Sequence, residues 1–207
     1  AIQGLNGFHM DYIRHPDVIL PVALWPTYGL VQDHEMPEYD YCYCELCRTN
    51  FKNNYGYGPL GLERPDLDSN WRQFRYDAVS NVVNNFCVPT ARKYNKTITA
   101  AVFPNWESVR QQWHRWDLDG FLPMLYQGFY NKEIEWVGEE VQKALVRLRN
   151  SDNLKPVYSG LFLPHVPPEE MEKARKISMD AGAKGISLFA HSNISDEYWK
   201  VLEKIIR

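Results

Sequence analysis

The chain has 207 residues, 44% of them hydrophobic and 14% aromatic, with a formal net charge of −3. That is enough apolar material for one cored domain, and the charge is not that of a nucleic-acid binder. No run approaches the ~20 apolar residues of a membrane span. Ala1 stands where a start Met would, and no basic and apolar leader follows it, so a periplasmic or secreted site and a cytoplasmic one both stay open.

The elements alternate along the chain. "NGFHMDYIRHP" (Asn6–Pro16) begins as a short strand, Gly7–Asp11, and ends in polar groups. Alternation puts Gly7, His9 and Asp11 on one face and Phe8, Met10 and Tyr12 on the other. An irregular stretch rich in Pro, Tyr, Gly and Asp follows, from Tyr12 to Asp68. A helix is expected from about Ser69 to Tyr94, capped by Asp68 or Ser69, with Trp71, Phe74, Ala78, Val79, Val82 and Phe86 at helical spacing and Pro89 kinking or ending it. The second strand is Thr97–Asn105, and a short helix with Trp113 and Trp116 follows it. The third strand, Asp119–Gln127, leads to a helix at Asn131–Asn150 with an apolar stripe of Ile134, Val137, Val141, Leu145 and Leu148. The fourth strand is Lys155–Pro164. The segment Pro167–Gly185 has prolines and acids at its start and Gly at its end, the polarity of a helix. The fifth strand, Gly185–Ser192, precedes a closing helix, Ser195–Arg207.

Five strands, each followed by a helix, predict an α/β chain with a parallel sheet. A doubly wound nucleotide-binding sheet would carry a Gly-rich first turn, and "DYIRHP" stands in its place. Each strand instead ends in a polar or aromatic cluster, as in the active face of a (β/α)8 TIM barrel. The expectation is therefore that residues 1–207 supply strands 4 to 8 of such a barrel, with a long loop insertion at about 12–68. The remaining strands would come from upstream sequence or another chain.

Three segments carry a family resemblance. "GFHMDYIRHP" resembles the fourth-strand motif of glycosyl-hydrolase-like proteins, and "WDLDGFLPMLYQGF" resembles their sixth-strand region. "YCYCELCRTNFKNNYG" (Tyr41–Gly56) is similar to a Cys-x-Cys-x-x-Cys segment that follows the fourth strand in family 42 β-galactosidases. The resemblance implies a TIM-barrel glycosidase. The catalytic glutamates of family 42 have no counterpart here: strand four ends in Asp11, and "SGLFLPHV" lacks a carboxylate.

Glycoside cleavage needs two carboxyl groups flanking the bond. Asp11 and Glu107 stand just past the ends of adjacent strands, a layout that resembles α-amylase-like barrels. It implies Asp11 as nucleophile beside Arg14 and Glu107 as acid/base beside Trp106 and Trp113. A carboxylate pinning a loop, for Asp11, and a helix cap, for Glu107, are the structural alternatives. His9, Tyr12, Arg14, Asn105, Trp106, Tyr126, Gln127 and His191 are the expected substrate-binding residues. Rings offer faces to a sugar's C–H groups, and the polar groups pair with its hydroxyls. The expected partner is a saccharide, either cleaved or, in the alternative, only bound. Cys42, Cys44 and Cys47 place three sulfurs within six residues, which suits a structural Zn2+ with His34, His15 or an upstream residue as fourth ligand. Three reduced or partly oxidised cysteines fit the spacing as well. No organic cofactor is expected, and Cys87 reads as a core residue.

Overall fold

The computed structural model describes residues 4–205, so the first three residues and the predicted end of the last helix at Arg207 lie outside the described residues. Among the described residues there are five strands: β1 (Gly7–Met10), β2 (Thr97–Val102), β3 (Gly120–Pro123), β4 (Tyr158–Phe162) and β5 (Gly185–Phe189). The stretch from Tyr12 to Asp68, expected to be irregular, holds α1 (Trp25–Tyr28) and α2 (Glu45–Tyr55) with short 3-10 turns, and the helix expected from about Ser69 to Tyr94 is present as α3 (Ser69–Val82) and α4 (Val88–Lys93). Helices α5 (Glu135–Asn150), α6 (Met171–Asp180) and α7 (Asp196–Ile205) follow β3, β4 and β5. Among the described residues, no helix is long and apolar enough to cross a membrane.

Asp68 caps α3 by accepting the Trp71 amide at 2.7 Å. The helix does not stop at Pro89. Residues Val83–Cys87 form a π-helical turn that joins α3 to α4. Pro89 has no N–H to donate and its ring needs room near the preceding turn, and a widened turn supplies that room. The Thr90 hydroxyl donates to the Phe86 carbonyl at 2.6 Å, which occupies one acceptor of that turn.

Every strand pairing is parallel and the order follows the sequence, but the strands form two sheets, β1-β2-β3 and β4-β5. This corrects the TIM-barrel expectation: no closed barrel exists among the described residues, and the five strands do not form one continuous ladder. The break has a local cause. The Phe121 amide donates to the Pro156 carbonyl at 3.0 Å and the Leu125 amide to the Gly160 carbonyl at 2.9 Å. Pro123 occupies the rung between them and has no N–H to give. Only isolated bridges, Phe121 with Val157 and Met124 with Gly160, connect the two sheets.

Two glycines allow the backbones to approach. A Cβ on Gly7 would lie 2.6 Å from the Thr97 carbonyl oxygen, and one on Gly160 would lie 2.6 Å from that of Pro123. The helix-facing sides of the strands build two cores. In the first, Ile98, Ala100, Val102 and Phe121 pack against Val79, Val83 and Val88, with Trp113 and Trp116 fully buried. In the second, Val137 and Val141 of α5 meet Leu161, Ala174 and Leu202. The Tyr198 hydroxyl lies 2.8 Å from the Leu163 carbonyl and 2.9 Å from that of Val166, which holds α7 to the end of β4. Cys87 packs partly buried against the first core.

The long segment after β1 is held down by buried charge. Arg110 is fully buried and donates through NH1 and NH2 to Glu35, at 3.0 and 2.7 Å. Asp40 sits between two guanidinium groups, 3.2 Å from Arg75 and 3.4 Å from Arg110. The Arg75 guanidinium also lies over the Trp71 ring, 5.0 Å from its centroid. Removing the shared anion would leave two buried cations close together. Asp40→Ala is therefore expected to cost about 3–5 kcal/mol in urea denaturation.

Two histidines make the fold sensitive to acid. Burial, then the Arg75 guanidinium, pushes His15 down to about 4 from an ordinary 6.5. Burial, then Arg147 and Arg115, does the same to His114. The folded protein keeps both rings neutral down to about pH 4, whereas the unfolded chain protonates them near 6.5. The unfolded state therefore binds more protons between those values, and stability falls as pH drops through that window. Melting temperature is expected to decline from pH 7 to 4.5, and His114→Gln should make the decline shallower.

Candidate functional site

The strand face opposite the helices carries a cavity. Its polar groups come from β1 and the turn after it. His9 and Thr99 are register partners across β1 and β2, and the His9 Nδ1 lies 2.9 Å from the Thr99 hydroxyl. Burial lowers the His9 pKa, against an opposing pull from Asp11. The cavity has a volume of about 370 Å³, and His9, Asp11, Tyr12, Arg14 and Tyr126 all line it. These are five of the ten expected catalytic and substrate-binding residues. Ala101, Phe103, Leu122, Met124 and Gly160 form its apolar wall, and Ser187, Leu188 and Phe189 enter from β5.

The turn after β1 has a distinctive backbone. Tyr12 has φ +53, the left-handed region, which is uncommon for an aromatic residue. Its amide donates to the Asp11 carboxylate at 2.8 Å, and its ring is 77% exposed. The left-handed residue swings the following chain so that Arg14 reaches forward to Asp17 and not back to Asp11. Arg14 NH1 donates to Asp17 Oδ2 at 2.8 Å and to the His15 carbonyl at 2.9 Å. Its guanidinium lies between two rings, 4.9 Å from the Phe103 centroid and 5.4 Å from that of Tyr12. Buried Gln111 ties the two strand ends together. Its Nε2 donates to the carbonyls of Ile13 and Ala101, and its Oε1 accepts the Phe103 amide.

A second cavity of about 290 Å³ adjoins the first and shares Tyr12, Arg14, Phe103, Met124 and Tyr126 with it. It brings in a carboxylate that the sequence analysis did not select, Asp17. Burial raises the Asp17 pKa, and Arg14 pulls the other way without overcoming it. Tyr126 is pushed up to about 12 by burial, with the Asp11 charge adding to the effect.

The other expected residues lie elsewhere. Glu107 is in the first turn of a 3-10 helix, Trp106–Val109, and lines neither cavity. Trp106 packs edge-on between Tyr76 and His114, at 5.1 and 5.0 Å, against the first core. Asn105 accepts a hydrogen bond from the Tyr130 hydroxyl at 2.8 Å, and so supports a residue of the second cavity without lining it. Gln127 is buried, and its amide donates to the His165 carbonyl at 2.7 Å; both residues line a different cavity. His191 is exposed, with its ring near Trp199. Asp17, Phe103 and Phe189 are residues the sequence reading missed. The available signal was the i,i+3 spacing of Arg14 and Asp17 within "RHPD".

The three cysteines lie close enough to bind a metal ion, their sulfurs all within 4.8 Å of one another. Cys44 is the N-cap of α2 and is exposed, whereas Cys42 and Cys47 are half-buried. The Cys47 backbone amide and the neighbouring thiols bring the Cys44 thiol down to about 7. Burial and those same thiols push Cys47 up to about 11. The histidines expected as a fourth ligand do not join the group: among the described residues it has three members. His34 is paired with Asp33, and His15 is buried beside Arg75 and Asp40. Added Co2+ is expected to produce a thiolate-to-metal absorption band, which Cys44→Ser and Cys47→Ser should each weaken.

No protein-family model matches the chain, and no curated protein matches it.

Proposed function

We propose that the cavity on the strand face binds a carbohydrate and that the chain acts as a glycoside hydrolase. The observation that carries this reading is the lining itself. One carboxylate, one guanidinium and one imidazole converge with the rings of Tyr12, Phe103, Tyr126 and Phe189. Polar groups of this kind pair with hydroxyls, and the rings offer apolar faces to a pyranose.

Asp11 takes the role of nucleophile or base. The second carboxyl group is Asp17 in place of Glu107, because Asp17 lines the adjoining cavity and Glu107 lines neither. A general acid must hold its proton at working pH, and the burial that raises Asp17 acts in that direction. The second reading, a site that binds saccharides without cleaving them, is favoured by the ion pair that engages Asp17 with Arg14.

Chromogenic aryl glycosides test the reading. Asp11→Asn is expected to lower turnover by about 10²-fold or more while the melting temperature and sugar binding stay near those of the parent. Activity should fall as pH rises through the Asp17 pKa, and Asp17→Asn should remove that limb. Retained binding with no turnover on any glycoside would favour the second reading.

The ion at the cysteine group is, on this reading, Zn2+, because thiolates from a tight turn suit a tetrahedral soft-ligand site. Cys42, Cys44 and Cys47 would hold it, and it would staple the start of α2 to the segment before it. Elemental analysis should find about one zinc per chain, and a chelator should lower the melting temperature.

A further inference from the structure

We infer that the two cavities form one elongated cleft for a chain of sugar units, with the polar groups in its middle and not at a blind end. This inference rests on the saccharide reading and names the size class of the ligand. The two cavities, of about 370 and 290 Å³, share a wall of five residues that includes Arg14 and Tyr126. Asp11 lines the first cavity and Asp17 the second, and Arg14 lines both. Beyond the shared wall the first cavity is lined by Leu188 and Phe189 of β5 together with His9 and Ser187, and the second by Leu20, Pro21 and Leu24 together with Asp17 and Tyr130.

The exposed rings give a second argument. Tyr12 is 77% exposed and Phe189 is 51% exposed, so neither ring is there to fill the core. Tyr12 is also held in a left-handed conformation that costs free energy, with the Arg14 guanidinium over its ring. Phe189 stacks on Tyr126 with centroids 6.1 Å apart and planes 21° apart, giving two nearly parallel faces in a row. A single sugar at the junction would touch Tyr12, Arg14 and Tyr126 and leave Phe189 in water. A chain running through the junction covers it. Cleavage at the junction would then fall on internal bonds of the chain.

The test uses an immobilised array that carries each sugar type as one-, two-, three- and four-unit chains. The parent protein should be retained more strongly as the chain lengthens. Phe189→Ala and Tyr12→Asn, the latter keeping a residue that tolerates positive φ, should each lose about three- to tenfold on four units. Phe189→Ala should lose a smaller factor on one unit than on four, whereas Tyr12→Asn, at the junction, should weaken both. Circular dichroism confirms that both variants fold. Equal retention of one and four units, or unchanged four-unit binding in both variants, overturns the inference and leaves the saccharide reading standing. No retention of the parent at any length overturns the saccharide reading, and the inference falls with it.

Discussion

The buried anion of Asp40 between Arg75 and Arg110 is the contact on which the arrangement of this chain depends. Fifty or more residues separate Tyr12 from Asp68, and no strand crosses that stretch. Its backbone is too polar and too rich in Pro and Gly to be held by a ladder. Charge does the holding. Glu35 and Asp40 each reach a guanidinium buried under the segment, one from α3 and one from the turn after β2. Four buried or half-buried charges are costly to desolvate; Arg110 is hydrogen-bonded to Glu35, whereas Arg75 meets Asp40 at ion-pair distance without a hydrogen bond of its own.

The placement of this segment decides both candidate sites. His15 packs beside Arg75 and Asp40 and directly follows Arg14, so the turn that carries Arg14 and Asp17 is fixed against the same cluster. On the far side of Asp40 the chain runs directly into Cys42, Cys44 and Cys47. The cleft and the cysteine group are thus attached to one electrostatic anchor from opposite directions along the chain. Acid acts on this anchor through His15, which the folded state holds neutral.

The strands contribute a different constraint. Gly7 and Gly160 bring neighbouring backbones close, and Pro123 removes one rung between β3 and β4. The helix-facing residues fill two cores, while the opposite face keeps His9, Ala101, Met124 and Gly160 as the floor of a cavity. Side chains of period two make this possible: one parity feeds the core, and the other is left for a ligand.

Much of this was legible in the chain. The alternation of strands and helices, the parallel order, the Asp68 cap and the placing of His9 and Asp11 on one face all follow from local rules of spacing and capping. The convergence of the three cysteines follows from their closeness in sequence. The tertiary structure decided what depends on long-range contacts. It gave two sheets where a barrel was expected, because one missing donor at Pro123 interrupts the ladder. It gave Arg14 to Asp17 and not to Asp11, because Tyr12 turns left-handed. It left Glu107 outside the cleft and brought in Asp17 and Phe189, since which strand-end residues meet depends on how each turn leaves its strand, and spacing along the chain does not encode that direction.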